Sequence, residues 1–581
     1  MTVSILFGRN LQREINLAPD CFIRGRAGTR RAAPWYALIL LFCAGAMFPL
    51  PPVWGRNPAL WNISLPHMRR PYPTIQPKMP APARHLLVAR VGRLPADQRV
   101  LLGCLQGIVN RKKPRIFLIW SRNDAFWLRQ MEKQGQTGTP IRVRNPLSLV
   151  TRFASSVRGA VVPDPKVYVS PDIAADYAAA DNLLIATPSL ARRLHLPIRV
   201  DLRGKFHSDA GALRYLRLHL VPKLNPFLFL CLDPPLLADG SIDQIIAARG
   251  ITLWVTGPKA ADMPGANMAA ERRQVELLFA HTPLNGVVRG FWWHGGGMGL
   301  DEGPGVTLAS QFGKITVVSD YLPNMSVFSG VRMAAIKQKF APPPKYDPSK
   351  VYLSFTISDG DNLCTWYDFF RHWFTNPDHG KFPVGWGMGP TLLDEAPTLV
   401  NWYYHHAGPN DEFICDVSGV GYMYPPQWAR RLTDRRAAFR RFYQWTWRYM
   451  QRMDMKTLRL MGVNPASILR VGRALPKVRF LMPDYGYQGE KKYRQFTYTL
   501  PTGQPVFRAM TFAHSARQTA AQIRDRTGGH RPAFINVFIW NWQNNLPQLA
   551  RTLKILGPRY VDVTPSQLAD LYRQAQRRAR K

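Results

Sequence analysis

A chain of 581 residues is too long for one ordinary hydrophobic core, so two or three domains are expected. Its 46% hydrophobic content is globular, and past the N-terminal leader no apolar run has the length of a membrane span. The formal net charge of +40 would suit an anionic partner, but basic residues are spread along the chain, with clusters at 24–31, 430–441 and 573–581. No zinc-finger spacing or RRM-like aromatic signature accompanies them, so we read a generally basic surface, expect no nucleic-acid partner, and take 430–441 as the solvated face of a helix.

In chain order, Arg24, Arg26, Arg30 and Arg31 precede an apolar run, 35–50, that ends among Pro49, Pro51 and Pro52. The run is short for a spanning helix and has the layout of a signal peptide. Residues 1–54 are therefore expected to be a signal peptide or an uncleaved N-terminal anchor. Export to the periplasm or the extracellular space follows, with membrane contact only through that segment. Residues 55–84 are Pro-rich and read as a linker or extended arm. Past the leader, Cys104, Cys231, Cys364 and Cys415 form no CxxC; Cys231 and Cys415 lie in apolar runs and read as buried thiols.

Strand-like runs at 85–91 and 115–120 flank a helical pattern at 97–110. Further strands are predicted at 166–170, 182–187, 227–232, 251–257 and 315–321, alternating with helices at 189–194, 210–220 and 267–279. Such alternation argues for parallel sheets flanked by helices. We divide this part into an N-terminal α/β domain, 85–225, and a second α/β domain, 226–341.

Pro342, Pro343 and Pro344 then punctuate the chain. Beyond them, strands are predicted at 351–358, 383–389, 412–418, 458–462, 478–483, 506–513, 533–540 and 560–564. Helices are predicted between most of them, at 391–405, 427–453, 516–527 and 543–556, and Thr564 followed by Pro565 opens a last helix. The order matches a (β/α)-barrel-like domain over 345–578. A barrel of seven strands, or an open doubly wound sheet, would give nearly the same pattern. The fold class is α/β, with parallel sheets first and the barrel-like domain last.

In such folds chemistry sits at the C-terminal ends of the strands. Those ends carry Asp359, Asp361 and Asn362, then Trp386, Asp416, Asp484, His514, Trp540, Asn541 and Trp542, with Tyr422 and Tyr424 in a glycine-rich loop after Asp416. Carboxylates for acid, base or nucleophilic work, amides for hydroxyls and rings for stacking are the equipment of a sugar site. The segment from Asp359 to Asn362 has two other readings, an N-terminal helix cap and a divalent-cation site at Asp359 and Asp361. No other cofactor is expected.

Gly419-Val420-Gly421-Tyr422-Met423-Tyr424-Pro425 is a full instance of the motif of the GxGYxYP putative glycoside hydrolase family, which the chain resembles over roughly 85–575. Ser418, the 358–362 turn, Trp386 to Pro390 and Val563-Thr564-Pro565 also look like that family, as do 105–110 and 324–327. One departure is Gly387-Met388-Gly389, where an Ala- or Ser-containing segment is expected; it should change the pocket's shape.

The resemblance implies a hydrolase acting on an extracellular poly- or oligosaccharide through two carboxylates. Catalytic candidates are Asp359, Asp361, Asp416 and Asp484. Asn362, Trp386, Tyr422, Tyr424, His514, Trp540, Asn541 and Trp542 would bind the carbohydrate. The alternatives are a metal-dependent polysaccharide deacetylase-like hydrolase and a non-catalytic carbohydrate-binding surface protein.

Overall fold

A computed structural model describes residues 58–580 except 293–296, 359–361, 485–492, 511–514 and 543, and the leader call at 1–54 lies outside them. Three small parallel sheets come first. Strand β1 (Leu87–Arg90) lies between β2 (Ile116–Ile119) and β3 (Ile141–Val143), and β4 (Gly159–Val162) lies between β5 (Leu183–Ile185) and β6 (Ile198–Asp201). The third sheet has the order β10 (Ile315–Val318), β9 (Val287–Gly290), β7 (Leu228–Cys231), β8 (Ile251–Leu253).

The strand expected at 166–170 is not one, and the true strand is β4. Pro163 and Pro165 break the run, and the Asp164 carboxylate accepts the Lys166 and Gly204 N–H groups, which makes a turn. A helix, Ser170–Asp181, starts directly afterwards with Pro171 in its first turn. Edge strands β3 and β6 were missed because both are largely exposed and carry Arg among their apolar residues.

The C-terminal domain is a nearly closed barrel. Strands β11 (Val351–Ile357), β12 (Val384–Met388), β13 (Asp411–Cys415), β14 (Thr457–Leu460), β15 (Phe480–Pro483) and, after the short β16 (Thr497–Thr499), β17 (Pro505–Phe507) and β18 (Ala533–Ile539) form its wall. Strand β18 pairs with β11 along its whole length, and a bridge from Ala509 to Asn536 links the β17 segment to β18. The last predicted strand does not make an eighth stave. As β19 (Tyr560–Asp562) it pairs with the lower half of β11, whose upper half pairs with β12. Strand β16 is antiparallel to β17 and was not expected.

Side chains alternate along the wall. Leu353, Phe355, Ile357, Trp386, Met388, Phe413 and Cys415 pack outward into the main core. Ile414, Phe480, Met482, Phe507 and Phe534 form a separate inner core with Leu568, Leu571 and Tyr572 of the C-terminal helix, Pro565–Ala579. That helix closes the bottom of the barrel. Thr564 caps it in a capping box with Gln567, and the buried Glu412 carboxylate accepts the Ser566 N–H and Oγ–H, each at 2.7 Å. The open end is therefore the one at the strands' C-termini.

Candidate functional site at the barrel mouth

Above the inner apolar core the lining turns polar. Thr356 Oγ1 donates to Asn536 Oδ1 at 2.6 Å across β11 and β18. The next layer up holds Ser358, Asp416 and Arg459, all buried. Arg459 Nε lies 3.9 Å from Asp416 Oδ1, and its guanidinium carbon sits 5.1 Å from the centre of the Phe538 ring. Asp484 follows directly: its N–H donates to Leu460 O at 2.8 Å, and Arg508 Nε donates to its Oδ2 at 2.5 Å. Strand β14 thus runs between two carboxylates, each with an arginine beside it.

Gly387 gives the family departure a physical meaning. A methyl there would lie 2.2 Å from Asp416 Oδ2 and 2.8 Å from Ser358 Cβ. The bare backbone of β12 is what leaves room for the Asp416 carboxylate.

The motif loop has a second job, as a strap between the barrel and the third sheet. Tyr422 and Thr316 exchange two backbone hydrogen bonds, of 2.7 and 3.1 Å, so the loop extends the edge at β10. Gly421 permits this contact, because a Cβ there would meet Ile315 Cγ2 at 2.2 Å. Gly419 has φ of +144° and sits where a Cβ would be 2.4 Å from Thr446 Oγ1. The Tyr422 hydroxyl donates to Glu302 Oε1 at 2.6 Å and lies 2.9 Å from Met461 Sδ, at the end of β14. The Tyr424 hydroxyl is 3.3 Å from that of Tyr422, and its ring covers Gly462.

Glu302 is a residue the sequence reading missed. It opens the helix Glu302–Gln311 of the third sheet's domain, and Gly305 seats that helix against the Trp292 ring. Burial pushes the Glu302 carboxyl above the usual range, opposed by the hydrogen bond from Tyr422. Its only sequence signal was an acidic pair, Asp301-Glu302, after a glycine-rich stretch and at a helix start.

Of the other expected residues, Asp359, Asp361, His514 and the Asn362 side chain lie outside the described residues. Trp386 is corrected: it is fully buried on the outer side of the wall, against Phe370, Trp373 and Phe374, with Nε1 donating to Asp411 Oδ1 at 2.9 Å. Strand alternation explains this, since Gly385 and Gly387 take the inner face. Trp540 and Asn541 follow the end of β18, and Asn541 is buried. Trp542 is 45% exposed, with its ring 4.8 Å from Phe369. Among the described residues, no cluster of three or more His, Cys, Asp or Glu is placed to hold a metal, and no helix is long and apolar enough to cross a membrane.

No curated protein matches the chain. A crystal structure described as "a putative hydrolase from Bacteroides thetaiotaomicron VPI-5482" superposes with a TM-score of 0.72 at 19% identity, over 86% of this chain and 96% of that one, a likeness of fold. A peptidoglycan deacetylase from Bacillus subtilis matches over 40% of this chain and 96% of that one at 10% identity, and its TM-score of 0.22 carries no argument. Family models described as "GxGYxYP_N 1st domain", "GxGYxYP_N second domain" and "GxGYxYP third domain" match residues 85–155, 157–224 and 226–330. The model described as "GxGYxYP putative glycoside hydrolase C-terminal domain" matches residues 349–573. With most of its length matched in the family's own order, the chain belongs to the GxGYxYP family.

Proposed function

We propose that the barrel mouth hydrolyses glycosidic bonds in an extracellular poly- or oligosaccharide. The observation that carries this reading is the pair Asp416 and Asp484 at the ends of β13 and β15, each beside an arginine. One strand separates them, which puts the chain ends about 9–10 Å apart at the usual strand spacing. That spacing leaves room for a water held between the two carboxylates. A guanidinium neighbour fits a carboxylate for the base or nucleophile role. Glu302, held towards its protonated form at the rim, is the proton donor to the leaving oxygen in this scheme. Asp359 and Asp361, just past Ser358, are further candidates for the same rim.

The test is hydrolysis of a broad glycan panel by wild type, Asp416→Asn and Asp484→Asn, with product anomers followed by NMR. At least one variant should lose about a hundredfold or more in kcat, and the product anomer shows whether the ionised carboxylate acts as base (inversion) or nucleophile (retention). Full activity in both variants overturns the pair. Export belongs to the same reading, and fractionation that finds the full-length protein only in soluble cytoplasm overturns it.

A further inference from the structure

A strongly charged surface feature lies outside the site just described. The helix Arg435–Arg452 follows β13 and the motif strap, so it starts at the barrel's open rim and runs down the outer wall. Its inner face is apolar, with Phe439, Phe442, Tyr443, Tyr449 and Met450 buried. Its outer face is a ridge of arginine. Arg436, Arg440, Arg441 and Arg448 are exposed, and none of them makes an ion pair among the described residues.

From Arg436 to Arg448 the ridge is about 18 Å long at the helical rise of about 1.5 Å per residue. Between residues 430 and 479 the only acidic side chains are Asp434, which caps the helix, and Asp454, which is paired with Lys456. Arg470 and Arg473 on the neighbouring helix, Pro465–Ala474, add to the field. The Arg448 guanidinium lies 4.7 Å from the Trp445 ring centre, which holds its planar fork in place.

Unpaired arginines this close repel one another in the free protein, and an anionic chain laid along them would relieve that repulsion. A lipid surface fits poorly, because none of the large exposed hydrophobic side chains lies on this helix to enter a bilayer. We propose that this ridge binds an anionic polysaccharide, a polyuronate or a similarly charged glycan, and leads it to the barrel mouth. The inference rests on the glycan reading of that mouth and names its substrate class.

The experiment measures binding rather than cleavage, so that its failure is distinct from failure of the hydrolase reading. Wild type and an Arg436→Gln, Arg440→Gln, Arg441→Gln, Arg448→Gln variant are titrated with polygalacturonate, neutral dextran, a DNA duplex and vesicles of anionic phospholipid, at several salt concentrations. Circular dichroism and thermal melts check that the variant is folded, as exposed positions should allow. The expected result is salt-dependent binding of polygalacturonate by wild type, weakened at least tenfold in the variant with a shallower salt dependence, and no binding of dextran. Equal polyuronate affinity in wild type and variant overturns the ridge. Tighter, ridge-dependent binding of DNA or of vesicles overturns the glycan assignment in favour of that partner. Polyuronate binding without any cleavage would leave the ridge standing and count against the hydrolase.

Discussion

At the residue scale, the mouth depends on what is absent at one position. Gly387→Ala would drive a methyl into the space of the Asp416 carboxylate and Ser358. Crowding of this kind costs about 1–3 kcal/mol. If Asp416 serves catalysis, kcat should fall by more than that stability loss can explain, with the protein still folded; a variant of unchanged kcat would remove Asp416 from the chemistry. Glu302 offers a sharper test through pH. The Tyr422 hydrogen bond favours its ionised form, so Tyr422→Phe should raise the carboxyl further. A proton donor acts only while protonated, so the alkaline limb of the rate profile should move to higher pH. Glu302→Gln should lower kcat without a matching change in KM. An unmoved limb in the first variant, or an unchanged kcat in the second, rules Glu302 out as the donor.

At the scale of elements, burial accounts for only part of what could be seen in advance, since the buried β4 and β9 were missed as well as the exposed β3 and β6. The barrel strands are covered on both faces and read as apolar runs, so all were located to within a few residues except 506–513, of which only Pro505–Phe507 is strand and 511–514 lies outside the described residues. Exposed β3 and β6 left no such trace, and the alternation of 166–170 misled because Pro163 and Pro165 just before it set a turn. Strand ends pointed to Asp416 and Asp484, since position after a strand is a local property. Nothing local could show that Trp386 faces outward, that Glu302 reaches over from another sheet, or that Tyr422 pairs with Thr316. The last two contacts join segments more than a hundred residues apart. The strap itself can be tested. Gly421→Ala should destabilise the seam by about 1–3 kcal/mol and speed hydrogen exchange at Thr316 and Tyr422 more than within the barrel strands. Uniform faster exchange would mean that the strap is not a local joint.

At the scale of the whole molecule, the third sheet and the barrel share a buried ion pair, Arg289 with Glu395, at 3.6 Å and with neither side chain exposed. Burial pushes the Glu395 carboxyl up to about 7, from an ordinary value of 4.5, with Arg289 opposing. Because the folded pKa is the higher one, this group's share of stability is full below the unfolded value and is lost as pH rises towards 7. Its upper size is of the order of 3 kcal/mol. Urea unfolding at pH 5 and pH 8 should show a fall in stability that shrinks in Glu395→Gln. An equal fall in the variant would assign the pH dependence to other groups.

The helix that closes the barrel floor is made after every strand of the barrel wall. While the ribosome is still working on residues before Pro565, the inner aromatic core has walls but no base, and Glu412 has no helix end to cap. The barrel should therefore stay open to proteases until that helix is made, while the sheets that precede it already have their full sequence. Ribosome-bound chains arrested before Pro565 should be cut within 350–560 at low protease doses, and released full-length chains should resist. Synthesis of that helix would then act as the folding trigger for the domain that holds the proposed site.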